Sequence, residues 1–592
     1  MEHALRRTIL LISLSVVAVL ALAVPRLVQS ARSNATVWVS TSGHDASCAL
    51  GKRARPCATF AKACNLAQSG DVVRVENGTY GQQRIAGCAK SSPGVRFKAQ
   101  TRHHVFVGGS GLEIGSRSVH STWLTFDGID ADTFAVIGPC ESGCSSTGGD
   151  YPIGDPRRTN HITVDHMDVR AHGGTGEEAP AYADQVDYFT FEHSEIGPVC
   201  CDADGMDIYP TVSHVTVDHV DIHDIAATCS NVPHKEWPNC SSESSSPGDN
   251  HIDCLQMVGG DTVTIANSEF VNCEAGTFMN GINRQGYRDV TLVNNFFQGH
   301  VLDMTGGGGV DSKGTYAFSG FVHIYYNTIP NGSYFQDWAP GGDYEIVGNI
   351  FGDIPPNHGD CTIEGTNGNP DVPFKVARYN MFGGGARTCG STNFNGDASY
   401  VNEKNRAAGI DLHLTANSPG LDRGSLTLHP RLDIDGHLRP LRLPPDVGAS
   451  QREPASIVLG HSIGAVAIGS SKTRTDGFYG GHPQTSQGHA NGLPLETQSY
   501  RRHGGRLDVT YDSAGNVVGI STSSRYYTTA AGLGSGAAAP KDPGRHAGAA
   551  HGCKRLVRWR RVRGTDVYLS LSHDRVAGVT MRLRRYDVCA RR

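Results

Sequence analysis

One eight-residue pattern returns along the middle of the chain and restricts its fold more than any other feature. The first, third and eighth residues are mostly apolar, the second is often threonine, and neighbouring copies mostly start 22 to 32 residues apart. Apolar residues two apart share one face of a strand, and such a face is buried only when the next copy stacks on it. The copies are LTFDGIDA (124–131), ITVDHMDV (162–169), FTFEHSEI (189–196), VTVDHVDI (215–222), VTIANSEF (263–270), VTLVNNFF (290–297), VHIYYNTI (322–329), YEIVGNIF (344–351) and the fainter KVARYNMF (375–382).

The pattern also carries polar positions that repeat with it. The sixth residue of the later copies is asparagine, at Asn295, Asn327, Asn349 and Asn380. Stacked at a bend, these amides can hydrogen-bond along the stack, so we expect a buried ladder rather than contact with a ligand. The fifth residue is histidine at His166, His193 and His219. For these we favour a role in the scaffold over metal binding.

The stretch before the repeats predicts a cap for the open end of the stack. In RPCATFAKACNLAQSGDVVRVENGTY, Phe60, Cys64 and Ala67 follow helical spacing. A turn at Gly70-Asp71 then leads into an apolar strand. A helix in this place would cover strand edges that otherwise invite aggregation. The prediction is therefore an all-β parallel solenoid with an N-terminal capping helix.

A family resemblance supports this fold. The combination VWVSTSGHDASC, RPCATFAKAC and SGDVVRVENGTY resembles the opening of secreted right-handed parallel β-helix proteins of the pectin lyase-like group. SPGLDRGS, DIDGHLRP and PPDVGA, between Ser418 and Ala449, resemble the end of such domains. The resemblance spans residues 36–450 and implies a right-handed, single-stranded parallel β-helix. It leaves the activity open, because the group contains lyases, hydrolases, epimerases and proteins with no known reaction.

The N-terminus predicts export. Arg6 and Arg7 precede an uninterrupted apolar run from Ile9 to Val24, followed by Pro25 and small residues. This is the arrangement of a signal peptide, here residues 1–33, with an N-terminal membrane anchor as the alternative. We therefore expect a secreted or cell-surface protein.

The 16 cysteines fit an oxidising compartment and predict disulfides. A four-thiolate metal site at Cys140, Cys144, Cys200 and Cys201 is the weaker alternative. The pairs expected from closeness in sequence are Cys48 with Cys57, Cys64 with Cys88, Cys229 with Cys240, Cys361 with Cys389, and Cys553 with Cys589.

Two polar strings just before neighbouring repeats form the candidate site. DADGMDIY (202–209) and HIDCLQMV (251–258) match residue by residue, so that Asp204 faces Asp253 and Asp207 faces Gln256. The apolar matches belong inside, which leaves Asp207 and Gln256 on the outer face. A solvated face, and aspartates that cap their own turns, are the structural alternatives. The residues assigned to catalysis are Asp204, Asp207, Asp253, Gln256, His251, Lys235 and Arg284, and those assigned to a calcium ion are Asp202, Asp204 and Asp253.

The C-terminal part has a different composition. Residues 501–592 hold 18 Lys and Arg against 6 Asp and Glu, although the whole chain carries a net charge of −6. LDVTYDSAGNVVGIST predicts a hairpin and LVRWRRVRGTDVYLSLSHDRVAGVTM a second one. We expect a small basic α+β domain over residues 451–592. Its arginines 558, 560, 561 and 563, beside Trp559, would contact an anionic cell-surface polymer or dock on the acidic β-helix.

Together these features predict an exported, carbohydrate-active protein. The main expectation is that it binds and cleaves a polysaccharide, acidic ones included, on the outer face of the solenoid, as a lyase or a hydrolase. The alternative is a non-catalytic β-helix that binds surface glycan or has a structural role. Export argues against nucleic acid as a partner, and we expect a monomer.

Overall fold

The computed structural model describes a large part of the chain, in two compact units. Unit 1 holds the described residues up to Gly197 with Val212 and Ser213, and unit 2 holds the others. The expected signal peptide lies outside the described residues, and no helix within them is long and apolar enough to cross a membrane. The described residues are 35–145, 148–170, 179–199, 204–209, 212–226, 252–273, 276–279, 287–298, 302–305, 318–330, 334–337, 341–352, 362–365, 372–384, 390–404, 410–415, 417–440, 443–479, 483–540, 545–546, 556–572, 575–587 and 589.

Unit 1 is built of coils with three short parallel strands each, and equivalent strands stack into three sheets. Sheet 1 holds the start of each repeat, with strands Thr36–Val39, Val72–Val75, Val95–Ala99, Thr122–Asp127, Thr159–Asp165 and Val186–Glu192. Sheet 2 holds the end of each repeat, with strands Gly78–Tyr80, Val105–Val107, Asp130–Ala131, Asp168–Val169 and Glu195–Ile196. Sheet 3 holds Gln83–Ile85, Leu112–Gly115, Phe134–Ile137 and Ala181–Asp184, and an antiparallel pair, Cys140–Ser145 with Gly148–Asp150, follows its third strand.

Unit 2 repeats the same three-sheet coil, so the predicted right-handed parallel β-helix is confirmed. Its sheet 1 holds Ser213–Asp218, Gly260–Ala266, Tyr287–Val293, Phe318–Tyr325, Gly341–Val347 and Val376–Arg378. Sheet 2 holds Asp221–His223, Glu269–Val271, Phe296–Phe297, Thr328–Ile329, Ile350–Phe351, Met381–Phe382 and Phe394–Asn395. Sheet 3 holds Met206–Ile208, Asp253–Met257, Gly276–Met279, Leu302–Thr305, Tyr334–Asp337, Thr362–Gly365 and the antiparallel Val372–Pro373.

The register of sheet 1 follows the sequence repeats residue for residue. In unit 1, Ile162 pairs with Leu124 on one side and with Phe189 on the other. In unit 2, Val290 lies between Val263 and Val322. These positions are fully buried, while the residues between them face outward, because successive side chains of a strand alternate between its faces.

The fifth repeat position has a conformational role that the sequence did not disclose. It forms the bend between sheets 1 and 2 and has a positive φ in every copy that the structure describes, between 47° at His193 and 71° at Gly128. Glycine, asparagine and, less often, histidine adopt this left-handed conformation at low cost. The recurring histidines therefore have a conformational role at the bend, which the backbone angle explains.

The asparagine ladder is confirmed, and one further coil extends it. Asn295, Asn327, Asn349 and Asn380 are fully buried. Each side-chain oxygen accepts the backbone N–H of the preceding member, as from Asn327 to Asn349 at 2.9 Å, and each amide nitrogen donates to the oxygen of the next. Asn393 takes the last place, accepting from the backbone N–H of Asn380 at 2.9 Å. Such complete burial excludes contact between these amides and a sugar.

The predicted capping helix is present as Phe60–Leu66. Thr59 caps it by accepting the N–H of Lys62, and Phe60 and Cys64 lie on its buried face. Phe60 packs against Phe97 of sheet 1, with ring centroids 5.5 Å apart. The helix therefore closes the apolar interior of unit 1 in the way that its spacing predicted.

The C-terminal part of unit 2 is an antiparallel sheet with a short helix. The helix is Lys472–Tyr479, and a single 3-10 turn, Arg584–Tyr586, lies near the end of the chain. In sheet order the strands are Gln484–Ala490, Leu493–Arg502, Gly505–Tyr511, Val517–Thr522, Arg575–Leu583, Thr565–Ser572, Leu556–Val562 and Arg545–His546. Both predicted hairpins belong to it. Smaller antiparallel groups precede it, Tyr400–Asn402 with Asp411–Leu414, and Ile457–Val458 with Ser462–Ile463 and Val466–Ala467.

The arginine cluster of this sheet differs from the expected alternating face. A register shift between Arg558 and Arg560 breaks the alternation, so that Arg560 and Arg561 are both exposed. The guanidinium of Arg560 lies 4.1 Å from the centre of the Trp559 ring. Arg561 donates to Asp566 at 2.8 Å, so the Asp566 carboxylate offsets the positive charge of Arg561 within the sheet.

Two of the predicted disulfides are confirmed, Cys48–Cys57 and Cys64–Cys88. Cys140 and Cys589 are also disulfide-bonded, which rules out Cys140 as a thiolate ligand of a metal. The expected pairs Cys229–Cys240 and Cys361–Cys389, and the residues Cys200 and Cys553, lie outside the described residues. A further disulfide, Cys254–Cys273, was not predicted.

Candidate functional site

The two polar strings lie on neighbouring strands of sheet 3 in unit 2. Met206 pairs with Leu255, Asp207 with Gln256, and Ile208 with Met257, as the sequence alignment predicted. Met206 and Ile208 are fully buried in the core. Because side chains alternate along a strand, Asp207 and Gln256 lie together on the opposite, outer face of the sheet.

Asp204 and Asp253 meet at the entrance to these strands. Asp204 Oδ1 accepts the backbone N–H of Asp253 at 2.7 Å, and the N–H of Gly205 donates to the Asp253 carbonyl at 2.8 Å. A Cβ atom at Gly205 would lie 2.6 Å from the carbonyl oxygen of Cys254, so only glycine permits this approach. Asp204 therefore caps the backbone of the next coil, whereas the structural alternative from the sequence had it cap its own turn.

Burial separates this patch from an ordinary solvated surface. Asp204 and Asp207 are 2% exposed and Asp253 is 5% exposed, whereas Gln256 is partly exposed. A solvated outer face is therefore the wrong explanation for Asp207. Burying a carboxylate costs free energy unless it gains polar partners, and this patch places three buried carboxylates on two adjacent coils.

The disulfide Cys254–Cys273 holds the strand that carries the patch. Cys254 directly follows Asp253, and its sulfur is bonded to Cys273, at the end of sheet 2 on the same coil, with the two Cα atoms 5.4 Å apart. Both cysteines are fully buried. The sequence analysis did not pair these two cysteines, although they are only 19 residues apart. The bond limits movement of Asp253 relative to sheet 2.

The structure does not give the positions of several residues that the sequence assigned to the site. Asp202, Lys235, His251 and Arg284 lie outside the described residues. Arg288, four residues after Arg284, is described and pairs with Asp261 of the preceding coil, its Nε lying 3.1 Å from Asp261 Oδ1.

Among the described residues, three groups bring together donor atoms that suit a metal ion. They are Asp165 with His166 and His193, His103 with Asp130 and Asp168, and Asp433 with Asp435 and His437. In each group the donor atoms lie within 4.8 Å of one another. The sequence analysis assigned Asp202, Asp204 and Asp253 to a metal ion and favoured a scaffold role for His166 and His193. Separate coils contribute to two of these groups, and sequence spacing does not reveal such contacts.

A second acidic cluster of unit 2 surrounds Glu269 on the outer face of sheet 2. Asp221 is the strand partner of Glu269 on the preceding coil. His413 lies between two carboxylates, with Nδ1 2.6 Å from Asp411 and Nε2 2.9 Å from Asp435. Burial lowers the pKa of His413, but these hydrogen bonds outweigh it and raise the pKa to about 9. Burial, together with the charge of Asp221, raises the pKa of Glu269 to about 7, although His413 opposes this shift.

We expect Glu269→Gln to remove a pH dependence of stability. A carboxyl whose pKa is higher in the folded than in the unfolded state destabilises the fold once it ionises. The free energy of unfolding of the wild type should therefore fall relative to the variant as the pH rises from about 4.5 through about 7, by roughly 2 to 3 kcal/mol in total. Urea unfolding of both proteins across this range measures the difference, and parallel pH profiles would contradict it.

Comparison with known proteins gives similarity at the level of fold. No protein-family model matches the chain, and no curated protein sequence matches it. Solved structures that resemble it include pectate lyase Pel9A (13% identity, 72% of this chain and 98% of that chain, TM-score 0.39). XylC in complex with xylose has 9% identity and a TM-score of 0.38, and the match covers 70% of this chain and 98% of that chain. A rhamnogalacturonan lyase has 12% identity and a TM-score of 0.28, and the match covers 60% of this chain and 87% of that chain. Identities and TM-scores this low do not assign an activity.

Proposed function

We propose that this chain is an exported protein that binds a polysaccharide on the outer face of its β-helix and cleaves it at the patch Asp204, Asp207, Asp253 and Gln256. The observation that carries the proposal is the pairing of the two polar strings on adjacent coils. Asp207 faces Gln256, and Asp204 bonds the backbone of Asp253. An extended polymer can lie across such coils and contact side chains from both.

The chemistry of the patch supports a functional role over a structural one. The ladder through Asn327 and Asn349 satisfies its buried polar groups with neutral amides, and other coils bury carboxylates beside cations, as at Asp127 with Arg96. The patch brings three buried carboxylates together on two adjacent coils. Negative charge adds nothing to a hydrogen-bonded ladder, but carboxylates can act as acid and base or hold a cation. Gln256, the partly exposed member, is positioned to hydrogen-bond a sugar hydroxyl.

The donors at the patch fit a calcium ion better than a transition metal. Asp204 and Asp253 offer hard carboxylate oxygens, and Asp202 is the third ligand in this proposal. When bound, calcium would neutralise a uronate and make the adjacent proton more acidic. The base that removes this proton is assigned to Lys235, Arg284 or His251, and a hydrolase would instead divide acid and base roles between Asp207 and Asp253.

Two assays on one panel of polysaccharides test the proposal. The full chain is incubated with uronate-containing and neutral glycans, with calcium and with a chelator. Ultraviolet absorbance from unsaturated ends identifies a lyase, and new reducing ends without that absorbance identify a hydrolase. Turnover of at least one glycan is expected, and a loss of absorbance with chelator would support the calcium site. Neither signal on the whole panel would overturn cleavage.

Non-catalytic glycan binding is the second candidate, and one surface of unit 2 favours it. Phe321, His323 and Tyr325 line the outer face of the strand Phe318–Tyr325, with neighbouring rings 4.6 and 5.0 Å apart. Phe321 is 37% exposed. Tyr325 donates to Glu345 at 2.6 Å, so polar acceptors flank the aromatic surface as they do where proteins bind sugars. Retained glycan affinity without turnover would support this function.

The C-terminal sheet provides a separate basic surface. Arg560 and Arg563 are exposed, and Arg560 stacks on Trp559. We assign this surface to an anionic polymer at the cell surface, because clustered guanidinium groups attract phosphates and carboxylates. The contact would hold the protein near its substrate.

A further inference from the structure

Unit 1 carries two stacked imidazoles at the bend between sheets 1 and 2. His166 and His193 occupy the fifth repeat position of successive coils, with φ of 57° and 47°. Their ring centres are 5.0 Å apart, and the ring planes differ by 20°. The strands that precede them pair in register, with Asp165 beside Glu192, so the backbone fixes the position of both rings.

Both imidazoles contact the same carboxylate. His193 Nδ1 lies 3.2 Å from Asp165 Oδ1, and His166 Nδ1 contacts that oxygen as well. Ligand atoms around a tetrahedral zinc ion, with bonds of about 2.0 to 2.1 Å, are about 3.3 Å apart. Arg96 Nη2 lies 4.0 Å from Asp165 and 2.7 Å from Asp127, so Arg96 binds Asp127 more closely than Asp165. Small side-chain rotations would therefore place an ion among the three groups.

We propose that Asp165, His166 and His193 bind one divalent transition-metal ion, with zinc as the best fit. Two imidazole nitrogens and one carboxylate oxygen suit zinc, copper or nickel, whereas calcium prefers oxygen ligands alone. The side chains are 15%, 28% and 44% exposed in that order, so water can complete the coordination. The ion joins two successive coils of unit 1. This site is independent of the cleavage proposed for unit 2.

In the two other groups with suitable donors, neighbouring cations or N–H groups already contact the carboxylates. In the group of His103, Asp130 and Asp168, the guanidinium of Arg170 lies 3.0 Å from Asp168 and takes the place of a cation. In the group around Asp433, both carboxylate oxygens of that residue accept backbone N–H groups. At His166 and His193, one carboxylate oxygen contacts both imidazoles.

Zinc binding by the full-length protein tests the site. An untagged protein is stripped with chelator, desalted and titrated with zinc chloride by calorimetry near pH 7.5. Asparagine replaces each histidine, because asparagine keeps the left-handed backbone, as Asn267 and Asn294 do at the same bend in unit 2. We expect His166→Asn and His193→Asn each to lose one equivalent of bound zinc, or to weaken that equivalent at least about ten-fold. Zinc should also raise the Tm of the wild type more than that of either variant.

His161→Asn is the matched control. His161 lies in unit 1, also has a left-handed φ of 54°, and stacks between Trp123 and Tyr188 without belonging to a metal-compatible group. Its zinc uptake should equal that of the wild type. Lowering the pH to about 5.5 should weaken the equivalent lost in the variants, because the imidazoles must be neutral to bind. Equal zinc uptake by the wild type and both site variants, or a Tm loss in metal-free protein with no change in zinc uptake, would overturn the proposal and leave only a hydrogen-bonded pair.

Discussion

Replacing Asp253 with asparagine should reduce polysaccharide turnover by about 100-fold or more, with the Tm nearly unchanged. The substitution removes the charge but keeps the shape, and the hydrogen bond to Asp204 comes from the backbone N–H and so survives. Loss of a positioned acid, base or cation ligand typically costs between about 100- and 10,000-fold in rate. The kcat on the best glycan of the panel, measured together with the Tm, checks this prediction.

Asp218→Asn is the control for that experiment. Asp218 is a carboxylate of sheet 1 in unit 2 that accepts a hydrogen bond from Asn267 at 2.8 Å, away from the paired strings. Its replacement by an amide should leave kcat unchanged. An unaltered rate for Asp253→Asn, or an equal loss in both variants, would remove the patch from the catalytic account.

The largest effect on stability is expected for Asn349→Ala in the buried ladder. The Asn349 amide donates to Ile324 O at 2.7 Å and to Asn380 Oδ1 at 3.0 Å, and its oxygen accepts the N–H of Asn327 at 2.9 Å. Alanine removes these three bonds and takes the acceptor from the buried N–H of Asn327, while the backbone N–H of residue 349 still donates to Asn380 Oδ1. Each buried group that loses its partner costs about 1 to 3 kcal/mol. We expect a loss of about 4 kcal/mol in the free energy of unfolding of this region.

Chemical denaturation compares this variant with a control on the same unit. Asn395 is exposed at the end of the strand Phe394–Asn395, so Asn395→Ala should change stability by less than about 0.5 kcal/mol. The urea midpoint, followed by circular dichroism, distinguishes the two. Similar small effects for Asn349→Ala and Asn395→Ala would mean that the ladder does not stabilise the coils.

The stacking of coils was predictable from sequence because it depends on a short, local pattern. Apolar residues two apart fixed the faces of the sheet 1 strands, and the register of Ile162 with Leu124 followed from aligning the repeats. The asparagine ladder followed from the same alignment. The reason for histidine at the fifth position was missed, since a positive φ is a property of the folded bend and leaves only a weak preference in composition.

The candidate site was predictable only in part. The pairing of Asp207 with Gln256 followed from two similar strings, but their burial and the disulfide Cys254–Cys273 depend on how whole coils pack. For His166 and His193 the sequence analysis favoured a scaffold role over metal binding, because the contact of both rings with Asp165 depends on the stacking of two coils. Lys235 and Arg284 belong to stretches between repeats, where no period exists to align them, so their roles remain predictions.

The most direct test of the central claim is a double-mutant cycle on kcat/KM with Asp207→Asn and Gln256→Ala. If the two adjacent coils form one site, the effects of the two substitutions should not add, and the coupling free energy should reach about 0.5 to 3 kcal/mol. Additive effects, or no effect of either substitution on turnover, would contradict a shared site on these two coils.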